Sequence, residues 1–183
     1  ADAGAALHLL PARVTPDMAD DALAAVAAQT GADGVMCLWA RTAFAEGYGE
    51  ILTPVTLQAL PCVLINPGVE CPTAAVYNGF DHLARFDEIE ARQGSDRYVD
   101  VKDCVTWLKP TRNDLEPAAI RLQPVIADVL SSLDAQPETL LARMSGSGAT
   151  CFALCDSSEA AAALSRRMQG LWPGAWVRAC TLG

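Results

Sequence analysis

The chain has 183 residues, of which 51% are hydrophobic and 19% are charged, and its formal net charge at pH 7 is −9. That composition predicts a folded protein with one large or two small cores, while the negative charge argues against a nucleic-acid surface, which needs clustered Lys and Arg. The seven cysteines form no CxxC pair and no stretch of about 18 apolar residues occurs, so we expect reduced thiols, no structural zinc, no membrane span and a cytoplasmic location.

The first third of the sequence is predicted to contain two helices followed by two strands, at residues 1–10, 17–29, 36–45 and 51–55. The second helix has the clearest start, because Pro16 suits its first position and Asp17 favours the positive helix end. Gly31 is the expected residue just past its C-terminus. A turn that contains Gly47 and Gly49 separates the two strands.

The rest of the chain is predicted to alternate between buried strands and helices. The strands are expected at residues 62–66, 150–155 and 176–182, and the helices at residues 73–86, 113–130, 137–143 and 157–171. Residues 92–112 are polar and show no clear pattern. The order strand, helices, strand, helix, strand is typical of an α+β domain with helices on one face of an antiparallel sheet, as in ferredoxin-like folds. A boundary near residues 56–61 predicts two domains, residues 1–58 and residues 59–183.

The segment "LARMSGSGATCFALCD" contains a Ser-Gly-Ser-Gly run between an apolar helical pattern and a buried strand. Two interpretations are open from spacing alone. The glycines can serve a bend between two elements, or the run can present backbone N–H groups and hydroxyls to an anion. Asp33 between two glycines has a similar pair of interpretations, either a residue that ends a helix or a positioned carboxylate.

Several segments together resemble one family. "MSGSGATCFAL" is similar to the third motif of the GHMP small-molecule kinases, and its particular residues resemble those of the 4-diphosphocytidyl-2-C-methyl-D-erythritol kinases. "GADG" with "AEGYGE", "LINPGVECPTAAVY" and "RNDLEPAA" are similar to further segments of that family, in the same order, and "ADAGAALHLL" resembles the helix after its phosphate loop. One difference is Trp39-Ala40-Arg41, where family members often carry glycines.

The resemblance implies a fold and an activity. The fold is the α+β two-domain GHMP kinase fold, with a partial N-terminal (ribosomal S5 domain 2-like) piece and a ferredoxin-like C-terminal domain. The activity is transfer of phosphate from ATP, with Mg²⁺, to the 2-hydroxyl of cytidylated methylerythritol in non-mevalonate isoprenoid biosynthesis. The family's first segment, with its lysine and most of its glycine-rich ATP loop, has no counterpart, so we expect little turnover from this chain alone and a possible partner in that segment.

The resemblance also implies roles for particular residues. Asp33 would accept the proton of the substrate hydroxyl, and Thr73 with Pro72 would lie near the methylerythritol group. Tyr77 would stack on cytosine; the sequence alone favours a helix cap at Thr73 and a half-buried ring at Tyr77. The phosphate side of the site is assigned to Ser145, Gly146, Ser147, Gly148 and, as an open question between a helix-start acid and an approach to magnesium, Asp2.

Two other functions stay open at this point. One is a different GHMP kinase, such as one that acts on mevalonate or homoserine. The other is a non-catalytic, ferredoxin-like metabolite-binding module in which the glycine run forms the edge of a ligand site. In each case the expected partner is a small molecule rather than a nucleic acid or a membrane, and no set of metal ligands is predicted within the chain.

Overall fold

The computed structural model describes residues 20–31, 33–47, 49, 51–83, 97–98 and 100–183. It divides the chain into two compact units. The first unit is formed by Ala1–Leu57 with Gly94–Arg97 and Gly183, and the second by Gln58–Gln93 with Tyr98–Leu182. The predicted helix at residues 1–10, and Asp2 within it, lie outside the described residues.

The described elements of the first unit are helices α1 (Asp20–Gln29) and α2 (Gly34–Trp39) and strands β1 (Ala43–Glu46), β2 (Ile51–Pro54) and β3 (Thr56–Leu57). Strands β1 and β2 form an antiparallel pair in which Ala43 lies opposite Pro54. Gly47 and Gly49, in the connection between them, have φ of 68° and 105°. The helix predicted at residues 17–29 is confirmed over residues 20–29, and its expected start at residues 17–19 lies outside the described residues. The glycine turn before β2 is also confirmed.

The extended conformation predicted for residues 36–45 is wrong over its first half, where the chain forms α2. A short apolar run does not distinguish a helix from a strand, and here packing decides. A Cβ atom on Gly34 would lie 1.9 Å from the Ala27 carbonyl oxygen, so glycine lets α2 begin directly against α1. The helix ends at Ala40, whose φ of 49° is left-handed.

The remaining elements are β4 (Leu60–Asn66), α3 (Thr73–Leu83), β5 (Arg97–Tyr98), α4 (Val101–Leu108), α5 (Glu116–Leu122), α6 (Val125–Asp134), β6 (Leu141–Met144), β7 (Cys151–Leu154), α7 (Ser158–Leu171) and β8 (Trp176–Leu182). All belong to the second unit except that Arg97 of β5 is counted in the first. The main sheet of the second unit has four antiparallel strands in the order β6-β7-β4-β8. With helices between β4 and β6 and between β7 and β8, this is the order of a ferredoxin-like βαββαβ unit. The predicted α+β class is confirmed.

One face of the sheet carries the core. Helix α6 packs on β6 and β7, and helix α7 packs on β4 and β8. The strands contribute alternate residues and the helices one apolar side each; the largest fully buried members are Ile65, Ile126, Leu133, Leu164 and Met168. Each such side chain contributes about 1.5–3 kcal/mol when it leaves water. This packing fixes the positions of the strand ends that carry the candidate site.

Two predictions need correction, and a segment without a predicted structure contains a helix. The helix expected over residues 113–130 is two helices, because Pro124 has no N–H to donate and cannot continue α5. The helix expected at residues 137–143 is wrong: residues 141–144 form β6, in register with β7, since strand pairing overrides the helix propensity of Leu-Ala-Arg-Met. Residues 92–112 contain α4, whose cap is Asp100, with Oδ1 accepting from the Asp103 amide at 2.8 Å.

Candidate functional site

The Ser-Gly run is a tight bend between β6 and β7. The Ser145 amide donates to the Thr150 carbonyl at 2.9 Å and the Gly148 amide to the Ser145 carbonyl at 3.0 Å. Gly146 and Gly148 have φ of 55° and 90°, a region that L-residues with a side chain rarely adopt. We call the four residues Ser145, Gly146, Ser147 and Gly148 the serine-glycine bend.

The two glycines are needed for different reasons. A Cβ atom on Gly148 would lie 2.9 Å from Met144 Sδ, 3.3 Å from Ile126 Cδ1 and 3.4 Å from Cys71 Sγ, so the backbone there is pressed against side chains of the core. A Cβ atom on Gly146 would meet nothing within 4 Å. Gly146 therefore serves backbone conformation alone, and its surroundings are open.

The serine-glycine bend also has backbone donors to spare. Among the described residues, no hydrogen-bond acceptor is recorded for the amides of Gly146 and Ser147. Ser145 and Gly146 are exposed. Consecutive N–H groups in such a turn form an anion-binding concavity, so the bend has the chemistry to bind phosphate oxygens.

The segment from Cys71 to Tyr77 contacts the bend directly. The hydroxyls of Thr73 and Ser147 share a hydrogen bond of 2.9 Å, and the Cys71 thiol donates to the Ser147 carbonyl at 3.2 Å. Burial raises the pKa of the Cys71 thiol, which keeps the proton that it donates. The structure therefore brings together two distant segments, because Thr73 and Ser147 are 74 residues apart in the sequence.

Pro72, Thr73 and Tyr77 lie at the start of α3. The Pro72 carbonyl accepts from the amides of Ala75 and Val76 at 2.9 and 3.1 Å, which begins the helix. Tyr77 follows Thr73 by one turn, and its side chain is 51% exposed while Val76 beside it is fully buried. The helix thus directs Val76 into the core and leaves the Tyr77 ring available to a flat ligand.

Three polar side chains that support this region were missed by sequence reasoning. Asn66 at the end of β4 donates from Nδ2 to Thr150 Oγ1 at 2.9 Å and accepts the Gly68 amide at 2.8 Å. Asn113 donates to the carbonyls of Met144 and Gly146. Glu116 accepts the Met144 amide at 3.2 Å. The "RNDLEPAA" motif was an available signal, but its local pattern indicates only a helix start.

Asp33 lies in the first unit, at the position that precedes α2. Its backbone carbonyl accepts the Cys37 amide at 2.9 Å, but its side chain makes no capping hydrogen bond and is exposed. The Asp33 carboxylate therefore does not cap α2. The other predicted site residues that the structure describes all lie in the second unit.

The described residues fit a phosphate group better than a metal ion. Within the described ranges, no group of three or more His, Cys, Asp or Glu side chains is close enough to hold a metal, whereas the serine-glycine bend offers N–H donors. The same ranges contain no helix with the length and apolar character needed to cross a bilayer.

Comparison with known proteins shows what the chain is similar to. Residues 96–174 match the family described as GHMP kinases C terminal. The chain is 48% identical to a 4-diphosphocytidyl-2-C-methyl-D-erythritol kinase of Caulobacter vibrioides (strain NA1000 / CB15N), over 99% of this chain and 63% of the relative. It is 46% identical to the protein of the same name from Caulobacter sp. (strain K31), over 100% of this chain and 63% of that relative.

A solved structure agrees with these relatives. The crystal structure of a 4-(cytidine 5'-diphospho)-2C-methyl-D-erythritol kinase superposes with a TM-score of 0.71 at 28% identity, over 100% of this chain and 64% of that one. The resemblance to the GHMP kinases predicted from the motifs is confirmed. The chain spans 63% of the length of the two Caulobacter relatives.

Proposed function

We propose that this chain takes part in ATP-dependent phosphorylation of the 2-hydroxyl of 4-diphosphocytidyl-2-C-methyl-D-erythritol. The observation that carries the proposal is the hydrogen bond of 2.9 Å between Thr73 and Ser147. It joins the segment expected to bind the substrate to the serine-glycine bend expected to bind phosphate. The 48% identity to a kinase of that name supports the same substrate.

Each proposed residue has a physical role in such a transfer. Phosphoryl transfer needs an aligned hydroxyl, stabilisation of phosphate charge and an acceptor for the hydroxyl proton. The exposed Asp33 carboxylate is the proposed acceptor, a role that typically contributes about 10²–10⁴-fold. The amides of Gly146 and Ser147, with the Ser145 hydroxyl, would bind phosphate oxygens. Gly148 lets the bend lie against Cys71.

Tyr77 is the proposed contact for the cytosine ring. Its side chain is 51% exposed, although burying such a ring is favourable. Base stacking on an aromatic ring contributes about 1–3 kcal/mol, which is sufficient to favour a cytidine ligand over an acyclic one. Thr73 and Pro72, one turn earlier on the same side of the helix start, would contact the methylerythritol end.

ATP and Mg²⁺ complete the proposal. Mg²⁺ would neutralise the charge of the transferred phosphate, but the described residues supply no ligand set for it, so no step is assigned to them through the metal. We propose further that the partners are small molecules, with no nucleic acid or membrane, and that the protein acts in the cytoplasm. A segment like the family's N-terminal part is proposed to contribute the ATP loop, and Asp2 is proposed to approach the phosphates.

Calorimetric titration of the 183-residue chain tests the substrate assignment. With CDP as the ligand, we expect Tyr77→Ala to weaken binding about 5- to 150-fold, the equivalent of one stacked base. Tyr77→Phe keeps the ring and should change the affinity little. Leu171→Ala is the matched control, because Leu171 is 57% exposed on a helix remote in sequence from the site. Equal CDP affinity for wild type and Tyr77→Ala would contradict the cytidine assignment, and tighter binding of mevalonate or homoserine would favour another GHMP kinase.

The chemical role of Asp33 needs an active protein. We expect little turnover from the 183 residues alone, so the chain is best assayed in place of the matching segment of the Caulobacter vibrioides relative. There, Asp33→Asn should lower kcat by about 10²–10⁴-fold and leave KM for the nucleotide nearly unchanged. A kcat within a few-fold of the parent would remove Asp33 from the mechanism.

A further inference from the structure

The side-chain amide of Asn113 is committed to the serine-glycine bend. Its Nδ2 group donates to the Met144 carbonyl at 3.0 Å and to the Gly146 carbonyl at 2.8 Å. Its Oδ1 atom accepts the Leu115 amide at 3.0 Å. Both N–H donors of one side chain therefore hold carbonyl groups on the two sides of Ser145, while its acceptor is anchored in the turn that precedes α5.

These bonds determine where the bend directs its own donors. In a trans peptide unit the C=O and the following N–H point in opposite directions. Because Asn113 holds the Gly146 carbonyl, the Ser147 amide in the same peptide unit points away from Asn113. Among the described residues no acceptor is recorded for that amide. The geometry that occupies the carbonyl thus turns the N–H outward.

Glu116 binds Met144, the residue that precedes the serine-glycine bend. Its Oε2 atom accepts the Met144 amide at 3.2 Å, and its own amide donates to the Asn113 carbonyl at 3.1 Å. Met144 is therefore held at its N–H by Glu116 and at its C=O by Asn113. The turn from Asn113 to Glu116 fixes the entry of the bend at two atoms and its second peptide unit at a third.

We propose that Asn113 and Glu116 are positioning residues that orient the serine-glycine bend so that its amides bind a phosphate group of the ligand. Neither side chain touches the phosphate; each acts through main-chain atoms of the bend. The choice of phosphate as the bound group rests on the proposed function, whereas the orienting role rests on the hydrogen bonds alone.

The test uses the ¹⁵N-labelled 183-residue chain and four variants. Asn113→Asp keeps the shape and the acceptor but replaces both donors with an oxygen that faces two carbonyls. Glu116→Ala removes the acceptor for Met144, and Glu116→Gln restores one. Gln169→Glu is the matched control, since Gln169 Nε2 also donates to a main-chain carbonyl, that of Ala175, at 3.4 Å. Each protein is titrated with inorganic pyrophosphate and, separately, with cytidine.

For Asn113→Asp and Glu116→Ala we expect shifted amide resonances of Gly146 and Ser147 and about tenfold or greater loss of pyrophosphate affinity. Cytidine affinity should change less than about twofold, because a general loss of structure would weaken both ligands while a displaced bend weakens one. Glu116→Gln should recover most of the pyrophosphate affinity, and Gln169→Glu should behave as wild type. If Asn113→Asp does not fold, the contrast between Glu116→Ala and Glu116→Gln carries the same test.

Unchanged bend resonances in Asn113→Asp, or equal losses of pyrophosphate and cytidine binding, would overturn the inference. So would a wild-type chain that binds cytidine but not pyrophosphate, and that result would leave the proposed cytidylated substrate standing. Conversely, the expected pyrophosphate losses in a chain that does not bind cytidine or CDP would support the positioning role and contradict the proposed substrate.

Discussion

Replacing Gly148 with alanine tests whether the serine-glycine bend is held against the core. The new Cβ would lie 2.9 Å from Met144 Sδ and 3.3 Å from Ile126 Cδ1, and Met144 and Ile126 are 2% and 0% exposed, so neither can move into solvent. Overpacking of this kind costs about 1–3 kcal/mol, and a φ of 90° adds about 1–2 kcal/mol for a residue with a side chain. The two costs sum to about 2–5 kcal/mol, and alanine regains about 0.4–1 kcal/mol by restricting the unfolded chain. We therefore expect a loss of about 2–4 kcal/mol in the free energy of unfolding.

Gly146→Ala is the matched control for that prediction. Its φ of 55° carries a similar backbone cost, but its Cβ would meet no atom within 4 Å, and alanine also restricts the unfolded chain. The expected loss is at most about 1 kcal/mol. Urea unfolding followed by circular dichroism measures both variants on one scale. Equal losses for the two would refute the argument, because the difference of about 2 kcal/mol comes entirely from the contacts of Gly148.

Two further predictions concern stability. Ala40→Gly should raise the free energy of unfolding by about 0.5–1 kcal/mol, because Ala40 has a left-handed φ of 49° that glycine adopts without strain; a lower urea midpoint would contradict this. Burial, the largest cause in each case, raises the pKa of the Cys62 and Cys151 thiols from 9.0 to about 12. The folded chain then keeps both protons while the unfolded chain releases them, so stability is complete below pH 9 and falls between pH 9 and 12, by about 1.4 kcal/mol per thiol at pH 10. Urea midpoints at pH 8 and pH 10 measure the loss, and Cys151→Ala should remove about half of the part due to these two thiols.

The elements that were predicted correctly have local signals. Helix α7 follows Ser157, whose hydroxyl accepts the Ala160 amide at 3.1 Å, and such a cap can be recognised from the sequence. Strand β8 covers residues 176–182 as expected, between a Pro-Gly turn and the end of the chain. Where a segment carries its own start and stop, the sequence is sufficient to place it.

The elements that were missed depend on distant partners. Strand β6 was predicted as a helix because Leu, Ala, Arg and Met all favour helices; only the pairing of Met144 with Cys151 and of Leu141 with Leu154 makes it a strand. The same holds for the supports of the serine-glycine bend. The bonds from Asn66 and Asn113 to the bend and its flank cross 84 and 31–33 residues, and no local pattern reveals which main-chain atom a distant amide will reach.

Asp33 illustrates how structure changes the weight of two interpretations. A residue that precedes a helix usually has extended backbone, and its side chain accepts an amide of the first turn, which contributes about 1 kcal/mol. Asp33 has φ of −81° and ψ of −3°, a helical conformation, and makes no such bond. Capping of α2 therefore does not explain why a carboxylate stands there between Ala32 and Gly34. The proposed role of Asp33 as the proton acceptor needs an exposed carboxylate, and the Asp33→Asn assay tests that role.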